Sequence, residues 1–198
     1  MKITITLDDV IRAKTKQIAK IYQKNINPDI DLESLDFSSD NFADVFGFET
    51  ENEYKEFLYT DYSYEIFGEA STTEKMLDKQ LNLWHIKQTK SEYNEPFELS
   101  LSNAFEYNQS IGYTCFFLAK IATRVRNLFF PNKVNEIWDR SDIVVTATPA
   151  VLKSKPEGKI AIKIETDYNK DFDADYTYKS LKEFLEDETI MEKLMKKE

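Results

Sequence analysis

Four consecutive residues, Ile143-Val144-Val145-Thr146, constrain the fold most, because a strand with no polar alternation must be covered on both faces. Such strands lie inside parallel sheets, whose crossover helices coat the two sides. The residues that follow agree: Thr148-Pro149 supplies an N-cap and a proline at the first helical position. Further strands are predicted at Ile3–Leu7 and Lys159–Ile164, where apolar residues alternate with period two, and at Phe97–Leu101 and Val125–Phe130. Helical patterns occupy Val10–Gln23, Ser71–Trp84, Asn108–Ala122, Val134–Trp138 and Ser180–Lys196. Strand and helix alternating in this way predict an α/β, three-layer, Rossmann-like fold with a mostly parallel sheet. Ile3–Leu7 is expected at its centre, flanked by Phe97–Leu101 and Ile143–Thr146.

A chain of 198 residues is long enough for one well-cored domain, spanning 1–198. Residues 25–67 interrupt the alternation. Asn25–Asp40 is polar and acidic with apolar anchors at Ile30, Leu32, Leu35 and Phe37, and Asn41–Phe67 carries closely spaced Phe and Tyr residues in the manner of short helices. This insertion reads either as a small helical cap on its own domain or as an interaction segment reaching beyond it. Ser71-Thr72-Thr73-Glu74 reads as a capping box that opens the next helix.

Charge narrows the function classes. Acidic residues number 36 against 26 basic ones, a net charge of -10, and no basic cluster interrupts them; direct nucleic-acid binding is not expected. No apolar run approaches the length of a membrane span, and no apolar signal segment opens the chain, so a protein made in the cytoplasm and without a membrane partner is expected. The single cysteine, Cys115, excludes an internal disulfide; its apolar neighbours Phe116 and Phe117 predict a core position. With 14 Phe and 11 Tyr, the chain has aromatics enough for a core and for a contact surface as well. The lone His85, at a predicted helix end without a second His or Cys nearby, is not expected to bind metal.

The strand Ile3-Thr4-Ile5-Thr6-Leu7 runs into Asp8-Asp9-Val10, and this opening resembles that of haloacid-dehalogenase-like (HAD-like) phosphohydrolases: an apolar strand, then Asp-x-Asp-x-Thr or Asp-x-Asp-x-Val. In that alignment Asp8 takes the second aspartate's place and Thr6 falls on the first, the nucleophile's. The block from Val125 through Lys133, and the strand ending in Thr146-Ala147-Thr148-Pro149, are similar to the third and fourth motifs of the nucleotidase-like branch. There Lys133 matches the phosphate-holding lysine, while Thr146 and Ala147 stand where two metal-binding carboxylates belong. Ser102 matches the second motif's hydroxyl, with Ser100 as its rival, and Asp167-Tyr168-Asn169 is similar to the branch's closing turn.

What the resemblance implies is a phosphohydrolase scaffold without its catalytic set. A threonine with no strong base does not replace a carboxylate nucleophile, and magnesium needs hard oxygen ligands that Thr146 and Ala147 do not offer. The expectation is a pseudoenzyme, with no catalytic residue and neither metal nor other cofactor, in which Thr6, Asp8, Ser102 and Lys133 mark the former site. Each retained residue also has a structural reading: Asp8-Asp9 as partners of a helix N-terminus, Ser102-Asn103 as turn chemistry, and Lys133 as a solvated lysine. The wider pattern, through Ile66-Phe67-Gly68-Glu69-Ala70 and Asp167-Tyr168-Asn169, is similar to small HAD-like proteins of crAss-like tailed bacteriophages. That resemblance implies a structural protein of the virion, a homo-oligomeric ring near the portal–tail junction contacting portal or tail proteins. The alternative is a magnesium-dependent 5′-nucleotidase-like phosphohydrolase or a nucleotide-binding protein.

Overall fold

The computed structural model describes residues 1–89, 97–103 and 108–195. Six parallel strands form one sheet: β1 (Lys2–Thr6), β2 (Glu98–Ser102), β3 (Asn127–Phe129), β4 (Ile143–Thr146), β5 (Ile160–Ile164) and β6 (Tyr176–Tyr178). Their spatial order is β3-β2-β1-β4-β5-β6, the doubly wound order in which the chain reverses direction across the sheet between β1 and β4. β1 is central as expected, with Ile3 beside Leu99 on one side and Ile143 on the other. The short strand β6 has no counterpart among the predicted strands, because Tyr176-Thr177-Tyr178 offers too few residues for a periodic signal.

Helices cover both faces. On one, Ile3, Ile5, Val145 and Ile162 pack with α4 (Leu77–Thr89), α5 (Asn108–Lys120), α8 (Leu181–Glu186) and α9 (Glu188–Met195). On the other, Val144 and Ala161 meet α6 (Asn135–Asp139) and α7 (Pro149–Lys153) around the buried Trp138, whose indole N–H donates to the Val151 carbonyl at 3.0 Å. The polar face of β1 is therefore buried too. Thr4 lies 2.8 Å from the Ser100 hydroxyl and 2.6 Å from that of Ser141, so the period-two alternation separates two dry faces and not core from solvent.

The first helix, α1, spans Lys14–Asn25 and not Val10–Gln23. Residues 8–13 instead form a tight loop in which three successive N–H groups, of Val10, Ile11 and Arg12, converge on the Leu7 carbonyl. Ser71-Thr72-Thr73 does not cap α4, which begins at Leu77; Thr73 Oγ1 donates to Val10 O at 2.8 Å, and Arg12 and Thr72 form an isolated antiparallel bridge. Pro149 is at the first turn of α7 as expected, although the Thr148 side chain makes no capping bond. His85 lies within α4, not at its end.

The insertion folds onto α1. α2 (Phe42–Phe46), α3 (Glu51–Glu56) and two π-helical turns, Phe57–Asp61 and Tyr64–Gly68, bring Phe46, Phe57 and Phe67 into a core with Ile18 and Tyr22. Its apolar anchors, including Leu32 and Phe37, are thereby engaged within the chain. The C-terminal helix is two helices. Asp187 breaks it by leaving helical geometry (φ -80, ψ 90) and accepting the Thr189 and Ile190 N–H groups at 3.0 and 3.2 Å. Lys196 lies outside the described residues. Cys115 is exposed, contrary to expectation, because α5 turns Ser110, Thr114 and Phe117 inward.

Candidate functional site

Ligands of doubly wound sheets bind outside the carboxyl ends of the strands, at the point where strand order reverses. Here that point lies between β1 and β4, and it brings together Thr6, Ser102, Thr146 and Ala147, each fully buried. Thr6 pairs with Ser102 across β1 and β2. Its hydroxyl donates to Thr146 Oγ1 at 3.0 Å, and Thr146 Oγ1 also accepts the Thr148 N–H at 3.0 Å. Ala147 contributes only its carbonyl, which takes a 2.9 Å bond from the Asn169 carboxamide; the same amide nitrogen reaches Ile164 O at 2.9 Å and so ties the ends of β4 and β5. The Ser102 hydroxyl turns to its neighbour's carbonyl, Asn103 O, at 3.3 Å. Lys133 stands apart, exposed before α6, and its ammonium has no partner among the described residues.

Both Asp8 oxygens are held by cations, Arg12 and Lys14, that are not among the predicted site residues. Arg12 is wholly buried and lies between the rings of Phe67 and Phe117, 5.0 and 5.7 Å from their centroids. All its N–H donors are engaged. Nε reaches Asp8 Oδ1 at 2.9 Å and Nη2 meets the same oxygen and Asn103 Oδ1, while Nη1 reaches Phe67 O at 3.1 Å and Thr114 Oγ1 at 2.6 Å. Lys14 Nζ takes Asp8 Oδ2 at 2.8 Å. Burial opposes ionisation of Asp8, but the Arg12 and Lys14 charges outweigh it and hold the carboxyl below its ordinary range. Burial likewise opposes the charge on Lys14, and Asp8 reverses the balance, raising it. A signal for Arg12 was present in the sequence: Asp8 and Arg12 are four apart, the spacing of a helical ion pair, although the loop pairs them without a helix.

Asp9 points the other way. It adopts a left-handed backbone (φ 55), uncommon for a residue with a side chain, and accepts from the Thr15 N–H at 2.9 Å and the Tyr168 hydroxyl at 2.8 Å. Of the acidic pair read as partners of a helix N-terminus, Asp9 alone serves α1. Burial pushes Asp9 up, and burial together with the Asp9 charge pushes Tyr168 well up. Lys163, at the end of β5, is buried with its ammonium donating to the carbonyls of Lys170 and Phe172 at 3.1 and 2.9 Å, which pins the turn that carries Tyr168.

The residues present do not fit magnesium. Both Asp8 oxygens are taken by cations, Thr6 and Thr146 hydrogen-bond each other, and Ala147 has no side-chain oxygen. Among the described residues, no group of three His, Cys, Asp or Glu comes together elsewhere.

No family model and no curated protein matches the sequence. Among solved structures, the chain is similar to the crystal structure of a haloacid dehalogenase-like hydrolase from Burkholderia xenovorans LB400, with a TM-score of 0.48 and 7% identity over 94% of this chain and 95% of that one. The α/β Rossmann-like fold of this chain is defined by its own strand order and parallel register.

Proposed function

We propose that this chain is a non-catalytic protein on a HAD-like scaffold that works by assembly, as a structural component of a tailed-bacteriophage particle. The observation that carries the non-catalytic half is the closure of Asp8. A general acid must release and recapture a proton near the working pH, whereas this carboxylate is held ionised between a guanidinium and an ammonium. Its neighbour at the nucleophile's place is a buried threonine whose hydrogen-bond acceptors among the described residues are Thr146 Oγ1 and the Val145 carbonyl at 3.4 Å, neither of them a base strong enough to activate it. The purified protein is expected to release no phosphate from nucleoside monophosphates or an aryl phosphate, with or without magnesium. Turnover that vanishes in Asp8→Asn would overturn this reading.

The assembly half rests on the resemblance to crAss-like phage proteins, which implies a homo-oligomeric ring near the portal and tail. Closed rings of identical subunits use head-to-tail interfaces. Because the anchors of the insertion are engaged internally, the contact surface falls on what remains outward, including Tyr64, Tyr113 and Phe116, which pack on one another at the surface with Tyr64 ring centroids 5.4 and 5.7 Å from the other two. Mass spectrometry of purified particles is expected to find the chain in several copies. An abundant free monomer in infected cells, with none in the particle, would refute the assembly role.

A further inference from the structure

A cavity of about 820 Å³ opens beside the closed site, between α1, the start of the insertion and the turn after β5. Its size suits a small molecule. Leu32 and Phe37, both half-buried, supply an apolar wall, and Ala13 and Ala19 also line the cavity. Asp9 and Tyr168 line it with polar atoms. A carboxylate has about four acceptor positions. Asp9 uses three, on the Thr15 N–H, the Thr15 hydroxyl and the Tyr168 hydroxyl, which leaves one for a donor entering the cavity.

The other lining charges give the ligand its sign. Lys16 and Lys20 lie one turn apart on the exposed side of α1, and neither ammonium has a partner among the described residues. Of the lining acids besides Asp9, Asp167 pairs with Lys170 at 2.6 Å, and Glu69 has the Lys120 ammonium, held on the carbonyls of Gly68 and Ala70, beside it. We propose that this cavity binds a small amphipathic anion: an apolar or aromatic body against Leu32 and Phe37, its anionic group on Lys16 and Lys20, and a hydroxyl donated to Asp9. The site uses none of the side chains that close the crevice around Asp8, so it does not depend on the non-catalytic reading.

The test is titration of the full chain with 1-anilinonaphthalene-8-sulfonate, an aromatic anion whose fluorescence rises on burial. One saturable site is expected. Lys16→Glu with Lys20→Glu should weaken binding by about tenfold or more, and Leu32→Trp, which fills the cavity, should abolish it. Lys79→Glu with Lys182→Glu, at the separate groove between α4 and α8, should leave it unchanged. Circular dichroism and melting temperature establish that each variant is folded; where Leu32→Trp fails to fold, Leu32→Met with Phe37→Ala takes its place and should weaken binding. Benzoate and 4-hydroxybenzoate as competitors then probe Asp9, the hydroxylated one displacing the dye more strongly, an advantage lost in Asp9→Asn. No saturable binding, equal binding in the Lys16 and Lys20 variant, or loss only in the Lys79 and Lys182 variant would each overturn the proposal.

Discussion

Replacing Arg12 with methionine is expected to remove about 3–5 kcal/mol of folding stability, the effect of deleting one partner of a buried ion pair. Methionine approximates the stem and can lie between Phe67 and Phe117, so lost packing is the smaller part. The larger part is electrostatic: a buried Asp8 retains only Lys14, while Phe67 O, Thr114 Oγ1 and Asn103 Oδ1 lose a donor. The pH dependence identifies the cause. In the native protein the depressed Asp8 carboxyl contributes stability above its ordinary value of 3.8, and that contribution is lost as pH falls through the lower folded value. Without Arg12, burial moves Asp8 upward, and protonation then relieves the variant. The difference in melting temperature between the two proteins should accordingly shrink on acidification, and Asp8→Asn should recover part of the loss at neutral pH. A constant difference across pH would mean that packing, not charge, carries the effect.

Arg12 joins four parts of the chain: the loop after β1, the end of the insertion, α5 and the end of β2. Thr114 is buried in α5 because it meets this guanidinium, and that contact sets the rotation of the helix that leaves Cys115 outside. The sequence could not reveal this. Thr114-Cys115-Phe116-Phe117 reads as apolar on every side, and the partner that decides which side turns inward lies 102 residues away. Strands were more legible, since Ile143–Thr146 and Ile3–Leu7 carry their burial in composition and period alone. So were Thr6, Ser102 and Thr146, which converge because each closes a strand and parallel strands end on one side of the sheet. Lys133, in a turn, has no such register to place it. Continuous helical patterns at Val10–Gln23 and Ser180–Lys196 misled for one reason: apolar spacing cannot register a carboxylate that caps backbone N–H groups, as Asp9 does for Thr15 and Asp187 does for Ile190.

On the non-catalytic reading proposed above, Thr6→Asp, which puts a carboxylate at the strand end, is expected to yield an inactive, less stable protein. The site is fully buried, and the native hydroxyl is matched to Thr146 Oγ1 at 3.0 Å. A carboxylate there meets another oxygen, and the buried cations nearby have their donors engaged: Arg12 in five bonds, and Lys163, in register with Thr146, on the carbonyls of Asn169, Lys170 and Phe172. Burying an unpaired charge is costly enough that the new acid would remain protonated at neutral pH, at an expense of about 3 kcal/mol. A protonated acid is neither a nucleophile nor a metal ligand. Because the folded pKa of the new group lies above its unfolded value, the variant's deficit should lessen as pH falls toward about 4. Thr6→Val, which loses one hydroxyl bond without adding charge, should cost only about 1 kcal/mol and show no such pH dependence. Magnesium should leave the melting temperature of Thr6→Asp unchanged. Stabilisation by the metal, or phosphate release dependent on it, would count against the non-catalytic reading, since a single carboxylate would then create a metal site beside an Asp8 whose oxygens Arg12 and Lys14 hold.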